Sequence, residues 1–329
     1  MTPFLQILKG GADLMPSMAP YFIRATITDA VGIENDTLEI ELDDEGGQIP
    51  LPAEDDELTV LAGYRETGVS LAGVFKVQGW SVTGGGGDAE VFAMTARAAS
   101  LTQKGKAGGN RHWDQKTLKD VFADIAADLG LSLSIDPLLA SRILPWLARW
   151  EASPIDFATR LAAEHGAAVK PAGGRLSVVE RGSGRGASGA PLPVIRVNRI
   201  GSLGWQAEGE PRPRFSDVVA SYHDPKDGKR KTIKHSTGRK GPVHTIIHPR
   251  ASEDEAKEAA ASKARDLTMQ TGSASFTVTY DPAYSAGAIV EASGFRDGVD
   301  GRWVSETIET SFEKDGGAIS VISCKAPPA

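Results

Sequence analysis

The sequence predicts a β-rich α+β fold, with two antiparallel β-barrel domains flanking a small inserted α/β domain. Three observations carry that prediction. Polar and apolar residues alternate with period two through the first hundred residues and again through the last fifty-odd, as half-buried strands require. Between them, apolar residues recur at spacings of three and four, which places helices there. The 37 glycines and an aromatic content of only 6% fit many short strands joined by frequent turns. The expected boundaries are 1–105 for the first barrel and 106–182 for the α/β part. Residues 183–329 form the second barrel, interrupted by a helix at about 252–270.

The first domain reads as strands at Phe22–Thr28 and Thr37–Leu42, a turn at Asp43–Gly47, and strands at Glu57–Tyr64, Gly73–Trp80 and Ala89–Ala96. Glu66-Thr67-Gly68 and Gly84–Gly87 separate the later ones. In the middle, Trp113–Leu129 has helical periodicity and Gly130 ends it. A second helix starts at Ser153 as cap, Pro154 in the first turn and Asp156 at the positive end of the dipole. Ile155, Phe157, Ala158, Leu161, Ala162 and His165 make its apolar stripe, Arg160 and Glu164 form an i, i+4 pair, and Gly166 closes it. Gly173-Gly174 reverses the chain between strands at 167–170 and 176–179. After a glycine-rich, flexible linker at Arg181–Gly186 come the helix near 252–270 and strands at Ala274–Tyr280, Ala288–Ala292, Gly301–Thr310 and Gly317–Lys325. No strict sequence repeat links the two β regions.

Composition excludes several classes. No run of 18 apolar residues suggests a membrane-spanning helix, and MTPFLQILKGGADLMP has too short an apolar core for a signal peptide, so a soluble chain made in the cytoplasm is expected. Cys324 is the only cysteine, which rules out an intramolecular disulfide and argues against a thiolate zinc site. The net charge of −7 is unevenly spread. Residues 34–57 hold eleven acidic groups and no Lys or Arg, whereas 212–250 hold ten basic groups against three acidic ones, so contact between copies or a basic channel lining competes with two solvated loops.

No catalytic, cofactor or metal residues are assigned. His223, His235, His244 and His248 cluster in sequence, but His244 and His248 flank a strand-like Thr245-Ile246-Ile247, where an i, i+4 pair is poorly spaced for chelation. His165 reads as a helix-end residue and His112 as a loop or cap residue. Glu151, Asp156 and Glu164 are the nearest carboxylates to a glycosidase pair, with no spacing that defines a cleft. Asp43-Asp44-Glu45-Gly46 lacks the spaced ligands of a calcium loop, Gly84–Gly87 lacks the lysine of a phosphate loop, and Gly182-Ser183-Gly184 is no nucleophile elbow. The candidate surfaces are a basic one, Lys226, Lys229, Arg230, Lys231, Lys234, Arg239 and Lys240, expected on an exposed hairpin, and an acidic one, Asp55, Asp56 and Glu57. The basic segment is expected to serve assembly or channel lining and not catalysis, with a solvated hairpin or transient contact with a passing polyanion such as DNA as the other readings.

Taken in order, DTLEIELDDEGGQIPLPAEDDELTVLAGY (36–64), GVFKVQGW (73–80), RHWDQKTLKDVFADIAADLGL (111–131), IDFATRLAAEHGAAVKPAGGRLSVVERG (155–182) and YSAGAIVEASGFRDGVDGRWVSETIETSF (284–312) resemble the phage late control protein D family. These are contractile-tail baseplate hubs related to the first part of VgrG. The chain departs from the family pattern at Arg149–Asp156. The resemblance implies a structural protein of the virion tail, assembled in the host cytoplasm. It further implies a homotrimer whose two tube-like barrels per chain adapt a six-fold tail tube to a three-fold spike. The implied partners are the tube protein, a separate spike protein, other baseplate proteins and, in passing, DNA or the tape-measure protein, with no membrane insertion by this chain. The alternative from another class is a tail-associated peptidoglycan hydrolase.

Overall fold

The computed structural model describes residues 1–32, 36–53, 56–84, 90–98, 107–209, 215–315 and 317–328. In the first β region, β1 (Pro3–Lys9), β2 (Ala12–Asp13), the short α1 (Met15–Met18), β3 (Phe22–Ala30), β4 (Thr37–Asp43), β5 (Glu57–Tyr64), β6 (Gly68–Thr83) and β7 (Val91–Arg97) follow one another. Alternation decides which side chains point inward: Leu38, Ile40 and Leu42 of β4 and Phe92, Met94 and Ala96 of β7 are all buried in one apolar core. β1 went unassigned in the sequence reading, yet it obeys the same rule, with Leu5 and Ile7 buried and an antiparallel ladder to β5. β6 is longer at both ends than the predicted Gly73–Trp80, because β5 and β7 support different halves of it.

The middle unit comprises β8 (Gly109–Thr117), α2 (Leu118–Leu129), β9 (Ser132–Ile135), the short α3 (Pro137–Ala140), β10 (Ile143–Ala152), α4 (Pro154–Glu164), β11 (Ala167–Ala172) and β12 (Arg175–Glu180). The predicted helix from Trp113 is corrected. It begins at Leu118, because the Thr117 hydroxyl accepts from the Asp120 amide (3.2 Å) while the Asp120 carboxylate accepts from the Thr117 amide (3.1 Å). Residues before that cap pair with β10 instead, and Trp113 stacks on Phe157 at 5.6 Å. α4 is capped by Ser153 as expected, and its apolar stripe is buried. Arg160, however, meets Asp156 (3.4 Å) rather than Glu164, whose neighbour is Arg250 (3.7 Å). The Arg181–Gly186 stretch is a packed turn and not a flexible linker: a Cβ on Gly184 would lie 2.7 Å from Ile289.

β13 (Ile195–Asn198), β14 (Gly204–Gly209), β15 (Asp217–Asp224), β16 (Lys229–Ser236), β17 (Val243–Thr245), α5 (Glu253–Met269), β18 (Gly272–Thr279), β19 (Ile289–Ser293), β20 (Gly301–Glu313) and β21 (Gly317–Lys325) complete the chain. β15, β16 and β17 form a separate sheet covered by α5, whose Ala256, Ala260 and Ala264 pack on Val218, Ala220 and Tyr222.

The two β regions share a strand order. Across the sheet, the first runs β3-β4-β7-β6-β5-β1 and the second β14-β18-β21-β20-β19-β13, the same permutation of strands taken in chain order. Ladder registers match as well. Leu38, Ile40 and Leu42 face Ala96, Met94 and Phe92, just as Ala274, Phe276 and Val278 face Cys324, Ile322 and Ser320, and all of these side chains are buried. Both long strands slip register at equivalent places, Val77/Gly79 on β6 and Ser305/Thr307 on β20. One departure is direction: β1 is antiparallel to β5, whereas β13 is parallel to β19. The regions are also fused, because Thr307–Glu313 of β20 pairs antiparallel with β3, making one thirteen-stranded sheet.

Candidate assembly surfaces

The basic segment is a β15–β16 hairpin, turned at Gly228 with φ +66°. Register sets Lys229 and Lys231 opposite Asp224 and Tyr222, on the side that α5 covers, and Arg230 and Lys234 opposite His223 and Val219, on the other. Its cations therefore do not form one face. Several are already paired: Lys231 with Asp224 (2.5 Å) and Asp227 (3.0 Å), and Lys234 with Asp217 (3.1 Å). Hydrogen bonds to Asp224 and Asp227 push the Lys231 ammonium above its ordinary value, and the Lys231 hydrogen bond holds the Asp224 carboxyl below the usual carboxylate range. Lys226 sits in the turn, and Arg239 and Lys240 follow the strand. Among the described residues β16 pairs only with β15, so a lysine-rich strand guards a free sheet edge, an arrangement that blocks unwanted strand addition.

On the acidic side, Asp55 lies outside the described residues. Asp56 grips Lys9 at 2.5 Å and accepts from the Ala53 amide at 3.1 Å, and the Lys9 hydrogen bond keeps its carboxyl below the usual range. Glu57 is exposed at the start of β5. Asp44 is buried and accepts from the Ile49 amide at 2.9 Å, so it builds the turn.

A second set of charges lies where the middle unit meets its neighbours. Lys170 on β11 reaches Asp29 on β3 and Asp36 (2.7 Å). Burial alone would lower the Lys170 pKa, but the two carboxylates outweigh it and hold it above the ordinary value; burial raises the Asp36 carboxyl. On α5, Glu258 sits between Arg142 (3.4 Å) and His165 Nδ1 (3.1 Å), and Arg265 pairs with Glu180. Burial would raise Glu258, yet the His165 hydrogen bond and the Arg142 charge leave its carboxyl below the ordinary value. Cavities of about 280, 340 and 190 Å³ follow these seams.

None of this geometry assembles a catalytic pair. Glu151 and Asp156 are exposed, and Glu164 stands beside Arg250. Among the described residues no group of three His, Cys, Asp or Glu side chains could hold a metal ion. His244 and His248 line the 340 Å³ cavity together with Lys263 and Arg250, cations that oppose a metal there. Burial, then Lys263, keeps the His244 imidazole below its ordinary value. The sequence reading missed Lys170, Asp29 and Asp36, which lie far apart in the chain. It also missed Trp146 and Trp150, both exposed on β10, which the alternation Trp-x-x-x-Trp on a strand could have placed on one face.

No family model matches the chain. Two curated proteins are related in sequence. The probable baseplate hub protein of Escherichia phage 186 is 26% identical over 293 residues, covering 88% of this chain and 75% of that protein. The probable baseplate hub protein of Escherichia phage P2 is 29% identical over 231 residues, 70% of this chain and 58% of that protein. Among solved structures, the 43 kDa tail protein of prophage MuSo2 from Shewanella oneidensis superposes with a TM-score of 0.71 at 16% identity, covering 98% of each chain. A tail protein from Neisseria meningitidis MC58 gives 0.71 at 13% identity, covering 99% of this chain and 97% of that one. A chain of the Francisella PdpA–VgrG complex gives 0.55 at 9% identity, covering 100% of this chain and 59% of that one. At these identities the structural likeness shows the fold. The resemblance to tail-hub proteins read from the sequence agrees with these relatives.

Proposed function

We propose that the chain is a structural, non-enzymatic hub in the baseplate of a contractile phage tail or a related injection particle. It works as a homotrimer that adapts a six-fold tail tube to a three-fold spike. The observation that carries this reading is the strand order repeated within one chain, six strands on each side of the β3·β20 joint. Three copies would present six similar β faces, and closed cyclic symmetry would stop growth there. The middle unit, about 106–182, serves as spacer between the barrels at 1–105 and 183–329. The relatives named as baseplate hubs support the same reading. Tube protein, a separate spike protein and other baseplate proteins are the partners, in a virion tail put together in the host cytoplasm.

The basic hairpin is assigned to assembly or channel lining, through the cations at Lys226, Lys229, Arg230, Lys231, Lys234, Arg239 and Lys240. The acidic Asp55, Asp56 and Glu57 are assigned to its counterpart on a neighbouring copy. Light scattering of the purified chain tests the hub reading: a trimer is expected, and a monomer that stays monomeric on addition of spike protein would sink it. A zymogram should leave peptidoglycan unlysed; a cleared band would revive the hydrolase. Reversing Lys229 and Arg230 should weaken association modestly at low salt, because exposed pairs are worth under about 1 kcal/mol each.

A further inference from the structure

The first β region holds a cavity that its own packing does not fill. About 360 Å³ in volume, it lies between the strands and the stretch at 48–52. Protein interiors pack nearly as densely as organic crystals and leave few gaps larger than a water molecule, so a space that no one side chain could fill stands out. Its inner wall is core: Leu42, Leu58, Val77, Phe92 and Met94 are all buried. Leu14, Met18, Ile49 and Leu51 complete it on the outer side, where Leu51 is 56% exposed. The apolar lining thus runs from the surface to the centre of the region.

The strand order shared by the two β regions does not demand such a lining. By the matched ladders and register slips, Phe92 corresponds to Ser320 and Val77 to Ser305. Both serines are buried and satisfied within the fold: Ser320 shares a hydrogen bond with Thr310 (2.9 Å), and the Ser305 hydroxyl donates to the Ala288 carbonyl (3.1 Å). One region closes these positions with polar contacts, and the other lines a cavity with them. The outer wall is held in place as well. The Asp44 carboxylate accepts from the Ile49 amide (2.9 Å), and Asp56 accepts from the Ala53 amide (3.1 Å) while pairing with Lys9 (2.5 Å). Between these anchors Pro50 and Pro52 have a fixed φ and no N–H, which leaves a stiff stretch with a backbone donor only at Leu51. A wall anchored beforehand lowers the ordering cost of binding.

The charged and strongly polar side chains of the lining are Lys9, Ser17, Gln48 and Asp56. Ser17 and Gln48 are exposed, and Lys9 and Asp56 neutralise each other. A charged head would have to take one member of that pair from the other, whereas a hydroxyl-bearing head meets donors and acceptors without disturbing it. We propose that the cavity is a binding site for an uncharged single-chain amphiphile, its alkyl chain against Val77, Phe92 and Met94 and its hydroxylated head beside Ser17, Gln48 and the Lys9–Asp56 pair. The volume falls within the about 300–1,000 Å³ of small-molecule sites, and the arrangement of apolar walls with a few polar groups is theirs too. Met18 and Met94 suit a flexible guest, because thioether side chains adapt to irregular shapes. Wall and rim belong to one chain, so the site stands apart from the hub reading.

Titration of the purified chain with N-phenyl-1-naphthylamine, an uncharged probe that fluoresces in apolar surroundings, tests the proposal. One probe should bind per chain. Dodecyl maltoside, kept below its micelle concentration, should displace the probe and raise the melting temperature by mass action. Dodecanoate and dodecyltrimethylammonium carry the same alkyl chain on a charged head and should compete at least about tenfold more weakly. Equal competition by all three would overturn the uncharged ligand. Ile49→Trp and Met18→Trp each fill the cavity from its outer wall and should weaken probe binding about tenfold or more without lowering the melting temperature, so that either one that folds suffices. Trp80→Ala removes an exposed apolar side chain outside the cavity and should bind the probe as the parent does. No binding by the parent, binding that survives both filling variants, or binding lost in Trp80→Ala would overturn the site. Binding that disappears as the chain oligomerises would give the cavity to a second copy, overturning the amphiphile and leaving the hub reading standing.

Discussion

Two joints hold this molecule together, and they are built from different physics. Where β3 meets β20, backbone ladders run without a break, and Phe312 and Ala318 from the second β region are buried in the core of the first. Where the middle unit meets its neighbours, its own apolar core contains only residues from Trp113 to Val178, and the bridges across the seam are polar and mostly ionic: Lys170 to Asp29 and Asp36, Glu258 to Arg142 and His165, Arg265 to Glu180, with the Ser262 hydroxyl donating to the Ala163 carbonyl. A continuous sheet with a shared core moves as one body. A polar seam with cavities can be loosened without unfolding either side. The comparison teaches that the β regions are locked in a fixed relation while the insert is an attached part.

The largest effect should come from breaking the first joint. Phe312→Ala leaves a cavity between the two β regions and should cost about 3–5 kcal/mol in a urea titration, with both regions unfolding together. Loss of the second region alone, with the first still cooperative, would contradict the shared core. A smaller effect is expected at the other joint. Lys170→Met leaves Asp29 and Asp36 without their cation and should cost about 1–3 kcal/mol, most of it recovered when both carboxylates become Asn. If the triple variant were no better than Lys170→Met, packing and not charge would be holding the seam.

The alkaline limb sharpens the same contrast. Lys170 has its folded pKa raised above the ordinary 10.5, so its stabilisation is present in full below that value and is lost as pH rises through the folded pKa. Melting temperature should therefore fall on the alkaline side more steeply in the parent than in Lys170→Met. Smallest of all should be Glu258→Gln, under about 1 kcal/mol near neutral pH, since the Glu258 carboxylate and Arg142 remain partly solvated. Because the folded Glu258 carboxyl lies below its ordinary value, its contribution is lost as pH falls through the folded pKa, and the variant should differ least from the parent in acid.

Alternation and capping made most elements legible in advance. Ser153 and Pro154 start α4, Gly173-Gly174 turns β11 into β12, α5 falls within the expected 252–270, and the last strands fall within a few residues of their predicted ranges, because each signal acts between residues close in the chain. The misreading at Trp113 has the same origin: apolar spacing before Thr117 suits a helix locally, but pairing with β10, some thirty residues later, decides for a strand. The basic segment supplies the turn and second strand of a hairpin whose first strand, Asp217–Asp224, lies before it, and the distribution of its charges over two faces depended on a register that composition does not reveal. By itself the sequence determined the periods, turns and caps, hence the β-rich class and the inserted α/β unit. Only the tertiary structure decided that the two β regions repeat one strand order, that β20 takes β3 beside it while Gly79–Thr83 of β6 pairs only with β7 among the described residues, and that Lys170 finds Asp29 and Asp36. These are contacts between residues tens to hundreds of positions apart, set by which ladders close and which cores fill, and no local pattern encodes them.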